Sequence, residues 1–124
     1  MIVLDTSVLV EALGAGGSIR GALREALEQR ERMIVPTLVL YEWLRGPRHA
    51  SELALQEALF PCDDAVPFGA PEARVAAGLY TRVRRPRGRE MDLGIAAFAL
   101  VWNASLWTLN QEDFADIEGL KLVG

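Results

Sequence analysis

The chain has 124 residues, of which 51% are hydrophobic and 24% charged, a balance typical of one globular domain with its own core. Thirteen basic and seventeen acidic residues give a net charge of −4, which excludes an overall basic surface for nucleic acid. The single cysteine, Cys62, excludes an internal disulfide and a thiolate metal cage. No apolar run approaches the roughly 20 residues of a membrane span, so we expect no membrane association. We expect one cytoplasmic domain over residues 1–124.

Short apolar runs alternate with helical stretches from one end of the chain to the other. The predicted strands cover residues 1–4, 33–36, 64–68, 105–109 and 120–123. The predicted helices cover residues 8–13, 18–32, 38–44, 49–60, 71–83 and 91–103, with at most one further turn at 111–114. Ser18 and Thr37 are the expected N-caps of the second and third helices, and residues 14–17 are expected to form a flexible connection. This alternation predicts an α/β fold, a parallel sheet of about five strands flanked by helices on both faces.

Three polar residues, Asp5, Thr6 and Ser7, follow the first predicted strand directly. The run over residues 1–4 is continuously apolar, which is typical of a parallel strand buried on both faces. Open α/β sheets bind their ligands at the carboxyl ends of such strands, so Asp5 is a candidate site residue. The alternative is that Thr6 or Ser7 caps the next helix while Asp5 occupies the loop.

Two further acids interrupt apolar helical stretches. Glu42 lies in the nearly apolar helix 38–44, and the alternative to a site role is an ordinary solvated position on the outer helix face. Asp92 lies in the first turn of the most apolar helix, where its alternative role is the interaction with the helix macrodipole, about 0.3–1 kcal/mol. Gly94, two residues later, suggests that a neighbouring element approaches the helix backbone closely.

Polar residues also mark the end of the predicted strand 105–109. Thr108 and Asn110 flank this end, and Asp113 follows three residues later. The alternative interpretation is that Asn110 is a turn former and Asp113 a surface acid.

Several partly buried carboxylates that converge raise one another's pKa values and cost several kcal/mol to desolvate, unless a cation compensates for their charge. Oxygen ligands suit magnesium or manganese. His49 is the only histidine, so the chain has no imidazole set for zinc and no pair of histidines for acid/base catalysis. The acids therefore predict a Mg²⁺ or Mn²⁺ site.

The order and spacing of these motifs resemble the PIN domain and, more narrowly, the VapC-type toxins of toxin–antitoxin pairs. The resemblance covers the whole chain, and it rests on Asp5-Thr6-Ser7, Glu42, Asp92 with Ile95-Ala96-Ala97, and Thr108-x-Asn110-x-x-Asp113-Phe114. It implies a parallel sheet with flanking helices and an acidic pocket that holds Mg²⁺ or Mn²⁺. It also implies ribonuclease activity on RNA, a homodimer, and inhibition by a cognate antitoxin protein.

The resemblance also implies roles for individual residues. Asp5 and Asp92 would bind the main metal ion, Asp113 would hold a second ion or its water, and Glu42 would act through water or orient the attacking hydroxide. Asn110 stands where some members carry an acid, so one metal site would be held more weakly here. Candidates for supporting the metal ligands or orienting the substrate are Thr6, Ser7, Thr108 and Asn110.

An acidic pocket repels RNA, so a basic margin is needed around it. The candidate RNA-binding residues are Arg45, Arg48, Arg85, Arg87 and Arg89. The alternative for the arginine-rich segment is an ordinary solvated loop.

Two rival functions remain open. A phosphatase of the haloacid dehalogenase type requires a second acid two residues after Asp5, and that position is Ser7. The other rival is a catalytically silent PIN-like module that binds RNA or protein. Asn110 is the residue that favours this module.

Overall fold

The computed structural model describes residues 1–14 and 16–124. Its strands are β1 (Ile2–Leu4), β2 (Met33–Ile34), β3 (Ser105–Trp107) and β4 (Lys121–Leu122). Its α-helices are α1 (Thr6–Leu13), α2 (Arg20–Glu28), α3 (Thr37–Arg45), α4 (Ala50–Leu59), α5 (Ala70–Arg82) and α6 (Glu90–Val101), and two 3-10 helices cover Cys62–Asp64 and Gln111–Phe114. Ala15, in the connection predicted over residues 14–17, lies outside the described residues. Across the described ranges, no helix is long and apolar enough to cross a membrane.

The four strands form one parallel sheet in the order β2-β1-β3-β4. β1 lies inside the sheet, with Ile2 in register with Met33 on one side and with Ser105 on the other. Val3 and Leu4 are both fully buried. Because successive strand residues point to opposite faces, helices cover both faces of the sheet at β1. The predicted α/β fold is confirmed, and the sheet of the described residues has four strands instead of about five.

The predicted strand at residues 64–68 is reduced to a single parallel bridge between Val66 and Pro36. The Val66 amide donates to the carbonyl of Val35, and the Val66 carbonyl accepts from Thr37. Extending the ladder in this register would need the amides of Asp64 and Phe68. The Asp64 amide donates instead to the Pro61 carbonyl, and the Phe68 amide donates to Thr37 Oγ1. The pairing therefore does not continue on either side of Val66.

Both predicted N-caps are wrong. Helix α2 begins at Arg20 with Ile19 as its N-cap, and the Ser18 hydroxyl donates instead to the Glu11 carboxylate. Helix α3 begins at Thr37 itself, whose hydroxyl accepts from the Phe68 amide at 3.1 Å. In both cases the hydroxyl has a partner outside its own helix, which the local capping pattern cannot include.

Two close approaches between elements place the candidate site. The Asp5 amide donates to the Trp107 carbonyl at 2.9 Å, so the carboxyl ends of β1 and β3 lie side by side. Helix α6 is buried over Leu93 and the six residues after it, and a Cβ at Gly94 would lie 2.7 Å from Leu38 Cδ1. The missing side chain lets α3 pack closely on α6, as the sequence suggested. This contact brings the helices of Glu42 and Asp92 together.

Candidate active site

Asp5 is a buried carboxylate, 4% exposed, at the N-cap position of α1. Its side chain makes no capping hydrogen bond. Instead, Oδ2 accepts from Ser7 Oγ at 2.8 Å and from Thr108 Oγ1 at 2.7 Å. The alternative in which Thr6 or Ser7 caps this helix is wrong, because the helix begins at Thr6.

Both hydroxyls around Asp5 have fixed orientations. The Leu109 amide donates to Ser7 Oγ, and the Asn110 amide donates to Thr108 Oγ1, each at 3.0 Å. Each hydroxyl therefore uses its lone pairs for a backbone N–H and directs its own proton to the carboxylate. The carboxylate is thereby held in one place by the ends of β1 and β3.

Glu42 faces the start of α1, and its side chain is only 17% exposed. Oε1 accepts from Thr6 Oγ1 at 2.6 Å, and Oε2 lies 3.5 Å from Arg45 Nη2. The solvated alternative for Glu42 is therefore not the observed placement.

Asp92 lies in the first turn of α6, where the position also suits the helix macrodipole. The pKa of its carboxyl is raised from 3.8 to about 6. Burial is the largest cause, the negative charges of Asp5, Asp113 and Glu42 contribute to the increase, and the positive charge of Arg89 opposes it. The charges of the other three predicted acids thus act on Asp92, although the four acids come from four separate segments of the chain.

The donor chemistry of this acidic cluster (Asp5, Glu42, Asp92 and Asp113) fits a hard divalent cation, since its donors are carboxylate oxygens. The raised pKa of Asp92 reflects burial first and then neighbouring negative charge, which such a cation would neutralise. The spacing is wider than a closed chelate. Within residues 1–14 and 16–124, no three histidine, cysteine, aspartate or glutamate side chains are grouped closely enough to hold one ion.

Asp113 and Asn110 lie at the exposed side of the cluster. They line an open cavity of about 550 Å³, together with Leu109, Gln111 and Glu112. Asn110 is the N-cap of the 3-10 helix that carries Asp113, and the Asp113 amide donates to the Asn110 carbonyl at 3.0 Å. Of the four acids of the cluster, only Asp113 lines this cavity.

The model of the PIN domain family matches residues 2–120 of the chain. The chain belongs to the PIN domain family. Among curated relatives, Ribonuclease VapC19 from Mycobacterium tuberculosis is 34% identical over 116 residues, which cover 92% of each protein.

Solved structures show the same fold at low sequence identity. One of them is VapBC2 from Rickettsia felis, bound to a DNA fragment from its promoter. It has a TM-score of 0.74 at 23% identity, over 99% of this chain and 98% of the other. The DNA-bound VapBC structure from Salmonella typhimurium has a TM-score of 0.72 at 19% identity, over 98% and 96%. These likenesses extend over nearly the whole PIN domain.

The arginines predicted to bind RNA have different surroundings in this PIN domain. Arg85 and Arg87 are exposed in the loop between α5 and α6. Arg45 is exposed beside Glu42, and its guanidinium lies 5.2 Å from the centre of the Tyr41 ring. Their role in RNA binding stays a prediction.

Arg48 and Arg89 are already engaged by protein groups. Arg48 Nε donates to the Trp43 carbonyl at 2.7 Å, and its guanidinium lies 4.2 Å from the centre of the Trp43 ring. Arg89 pairs with Asp116, with Nη2 2.6 Å from Oδ1. Asp116 was not among the predicted site residues, because an exposed aspartate after a turn gives no local signal of its partner.

Proposed function

We propose that this PIN domain is a divalent-metal-dependent endoribonuclease and the toxin of a VapBC-type toxin–antitoxin pair. The relative with 34% identity is named a ribonuclease, and the structural neighbours are VapBC complexes. The single observation that carries the chemistry is the acidic cluster around the buried Asp5 carboxylate. Burying several carboxylates together costs free energy unless a cation compensates for their charge, and this cost supports metal binding at the cluster.

Asp5 and Asp92 would hold the main Mg²⁺ or Mn²⁺ ion, Glu42 would contribute through water, and Asp113 would hold a second ion or its water. When bound, the ion would lower the pKa of water and neutralise charge on the phosphate oxygens. Asn110 offers only a neutral oxygen, so a second ion beside Asp113 would be held more weakly.

The remaining polar residues would prepare the acids and the substrate. Ser7 and Thr108 fix one oxygen of Asp5, so this carboxylate needs no rearrangement to bind its ligand. Thr6 holds Oε1 of Glu42, and Oε2, which also lies 3.5 Å from Arg45 Nη2, would orient an attacking water. This reaction gives 5′-phosphate and 3′-hydroxyl ends on the cleaved RNA.

The basic margin belongs to the same proposal. Arg45, Arg85 and Arg87 are exposed and would contact RNA phosphates. Arg48 would have to leave the Trp43 carbonyl and ring to do so.

The proposal includes a protein partner and an assembly. A cognate antitoxin would inhibit the enzyme, as the pairing in the neighbouring VapBC structures suggests. We further propose that residues 1–124 act as one domain in a cytoplasmic homodimer, where RNA and antitoxin would both reach the site.

The direct test is incubation of the protein with structured RNAs and Mn²⁺ or Mg²⁺, with and without a chelator. We expect cleavage only with the ion, and Asp5→Asn should abolish it while circular dichroism and cooperative unfolding are retained. Asp63→Asn, which changes an exposed acid outside the cluster, is the matched control. Cleavage in chelator, or a 2′,3′-cyclic phosphate product, would contradict the mechanism.

A second candidate is a silent PIN-like module that binds RNA or protein. The spacing of the acids in the described chain and the neutral Asn110 favour it. RNA binding that needs no metal and leads to no cleavage would support the silent module over the nuclease.

A further inference from the structure

Arg89 connects two loops that approach the acidic cluster from different parts of the chain. Its Nη1 donates to the Arg84 carbonyl at 3.1 Å and to Asp116 Oδ2 at 2.9 Å. Its Nη2 donates to the Asp113 carbonyl at 3.1 Å and to Asp116 Oδ1 at 2.6 Å. One guanidinium therefore ties the loop before α6 to the 3-10 turn after β3.

Arg89 also lies at the start of α6, the helix that carries Asp92 of the acidic cluster. Arg89 is the N-cap of α6, and its carbonyl accepts from the Leu93 amide at 2.9 Å. Asp92 lies three residues after Arg89, in the same first helical turn. The same residue thus fixes the start of Asp92's helix and the backbone of Asp113.

Arg89 has little capacity left for a phosphate. A guanidinium carries five N–H donors, and the four bonds above occupy all four on Nη1 and Nη2. Its side chain is 22% exposed. Binding RNA through these nitrogens would break the fork with Asp116, whereas Arg85 and Arg87 are exposed.

We infer that Arg89 and Asp116 are positioning residues that hold Asp113 in place relative to Asp92, and that Arg89 is not an RNA contact. The inference rests on the proposed function only for its effect on cleavage. The positioning of Asp113 by Arg89 and Asp116 concerns the metal-free protein and is tested on that protein.

The first test is amide hydrogen exchange by NMR on the metal-free protein. Arg89→Gln and Asp116→Asn should each speed exchange of the Asp113 and Ala115 amides by about two- to fivefold, which is the effect of losing a partly exposed ion pair. The double variant should exchange no faster than the faster single variant, because both changes remove one interaction. Glu118→Gln, an exposed acid two residues from Asp116, is the matched control and should change nothing. Unchanged exchange in Arg89→Gln overturns the inference.

The second test separates positioning from RNA contact, using an RNA oligonucleotide bound in chelator at several salt concentrations. Arg87→Gln should reduce the slope of log K against log salt by about 0.7, the value for one phosphate contact on a single strand. Arg89→Gln should leave the slope unchanged. An equal reduction in both variants overturns the inference.

The third measurement is cleavage with Mn²⁺. Arg89→Gln and Asp116→Asn should lower kcat by similar factors with little change in KM, and Arg89→Lys should rescue only part of the loss, since an ammonium cannot form the fork and reach both carbonyls. Full rescue by lysine would show that charge alone matters and would refute positioning. If the unmodified protein does not cleave RNA, the proposed function fails, while exchange and salt dependence still decide the role of Arg89.

Discussion

Asp92→Asn should stabilise the metal-free protein at neutral pH, although it removes a residue proposed to bind the metal. The folded-state pKa of about 6 lies above the ordinary value of 3.8, so the ionised carboxylate opposes folding. This cost is complete above pH 6 and disappears as the pH falls through 6 towards 3.8. Asparagine keeps the shape of the side chain and removes the charge.

The size of the effect follows from the same pKa. The difference between 3.8 and about 6 sets a ceiling of about 3 kcal/mol on the cost at pH 7.5. Asp92 is partly exposed, so solvent screening reduces this to about 1–1.5 kcal/mol. Asparagine also loses the favourable macrodipole interaction, about 0.3–1 kcal/mol. The net gain should lie between about 0 and 1.2 kcal/mol at pH 7.5, centred on about 0.6 kcal/mol, and it should vanish or reverse at pH 4.5.

The assay is urea unfolding in chelator at both pH values. Glu90→Gln is the matched control, because Glu90 lies in the same helical turn and its carboxylate accepts from the Gly88 amide. Glu90→Gln should lower the unfolding free energy of the protein at pH 7.5. In saturating Mg²⁺ the unmodified protein should instead have a higher unfolding free energy than Asp92→Asn, since only its intact site gains stability by binding the ion. A loss of stability in Asp92→Asn at pH 7.5 in chelator would refute the electrostatic argument for the cluster.

Three further predictions concern the residues that hold the acidic cluster in place and the exposed arginines proposed to bind RNA. Thr108→Val should cost about 1–2 kcal/mol in unfolding free energy and lower kcat, because Asp5 loses a donor and the Asn110 amide loses its acceptor; unchanged stability in urea would contradict this. Gly94→Ala should destabilise by about 1 kcal/mol through the clash with Leu38, whereas Gly21→Ala, with nothing within 4 Å, should stabilise by about 0.5–1 kcal/mol; equal shifts in thermal midpoint would count against the close approach. Charge reversal at Arg85 and Arg87 should weaken RNA binding and flatten its salt dependence, and an unchanged slope would retire these residues as phosphate contacts.

The fold was largely predictable because its signals are local. The continuous apolar run before Asp5 predicts a buried parallel strand, and β1 is fully covered at Val3 and Leu4. Helix α6 is apolar nearly all round, and it is buried along most of its length. The errors arose where a partner lies far along the chain, as for Thr37, whose hydroxyl accepts from Phe68.

The candidate site was predictable for a different reason. Each acid alone had an ordinary explanation, and only the order of the motifs suggested that they share one place. In the structure the charges of Asp5, Glu42 and Asp113 contribute to the raised pKa of Asp92, and the role of the four acids as one metal site stays a prediction. The sequence could not show that the guanidinium of Arg89 is already hydrogen-bonded, because its partner Asp116 lies 27 residues away.

The basic and acidic parts of this site make opposite demands, although some of their residues are close neighbours: Arg45 Nη2 lies 3.5 Å from Glu42 Oε2, and Arg89 Nη2 donates to the Asp113 carbonyl at 3.1 Å. Arginines close to the acids are neutralised by protein groups, as Arg89 is by Asp116 and Arg45 in part by Glu42. Arg85 and Arg87 are exposed on the loop before α6. A cation would meet negative charge on Asp92 that Arg89 offsets only in part, while a phosphate would be drawn first to the exposed loop. Under the proposed function, this arrangement would let a chain with a net charge of −4 offer one surface to a metal ion and an adjacent one to RNA.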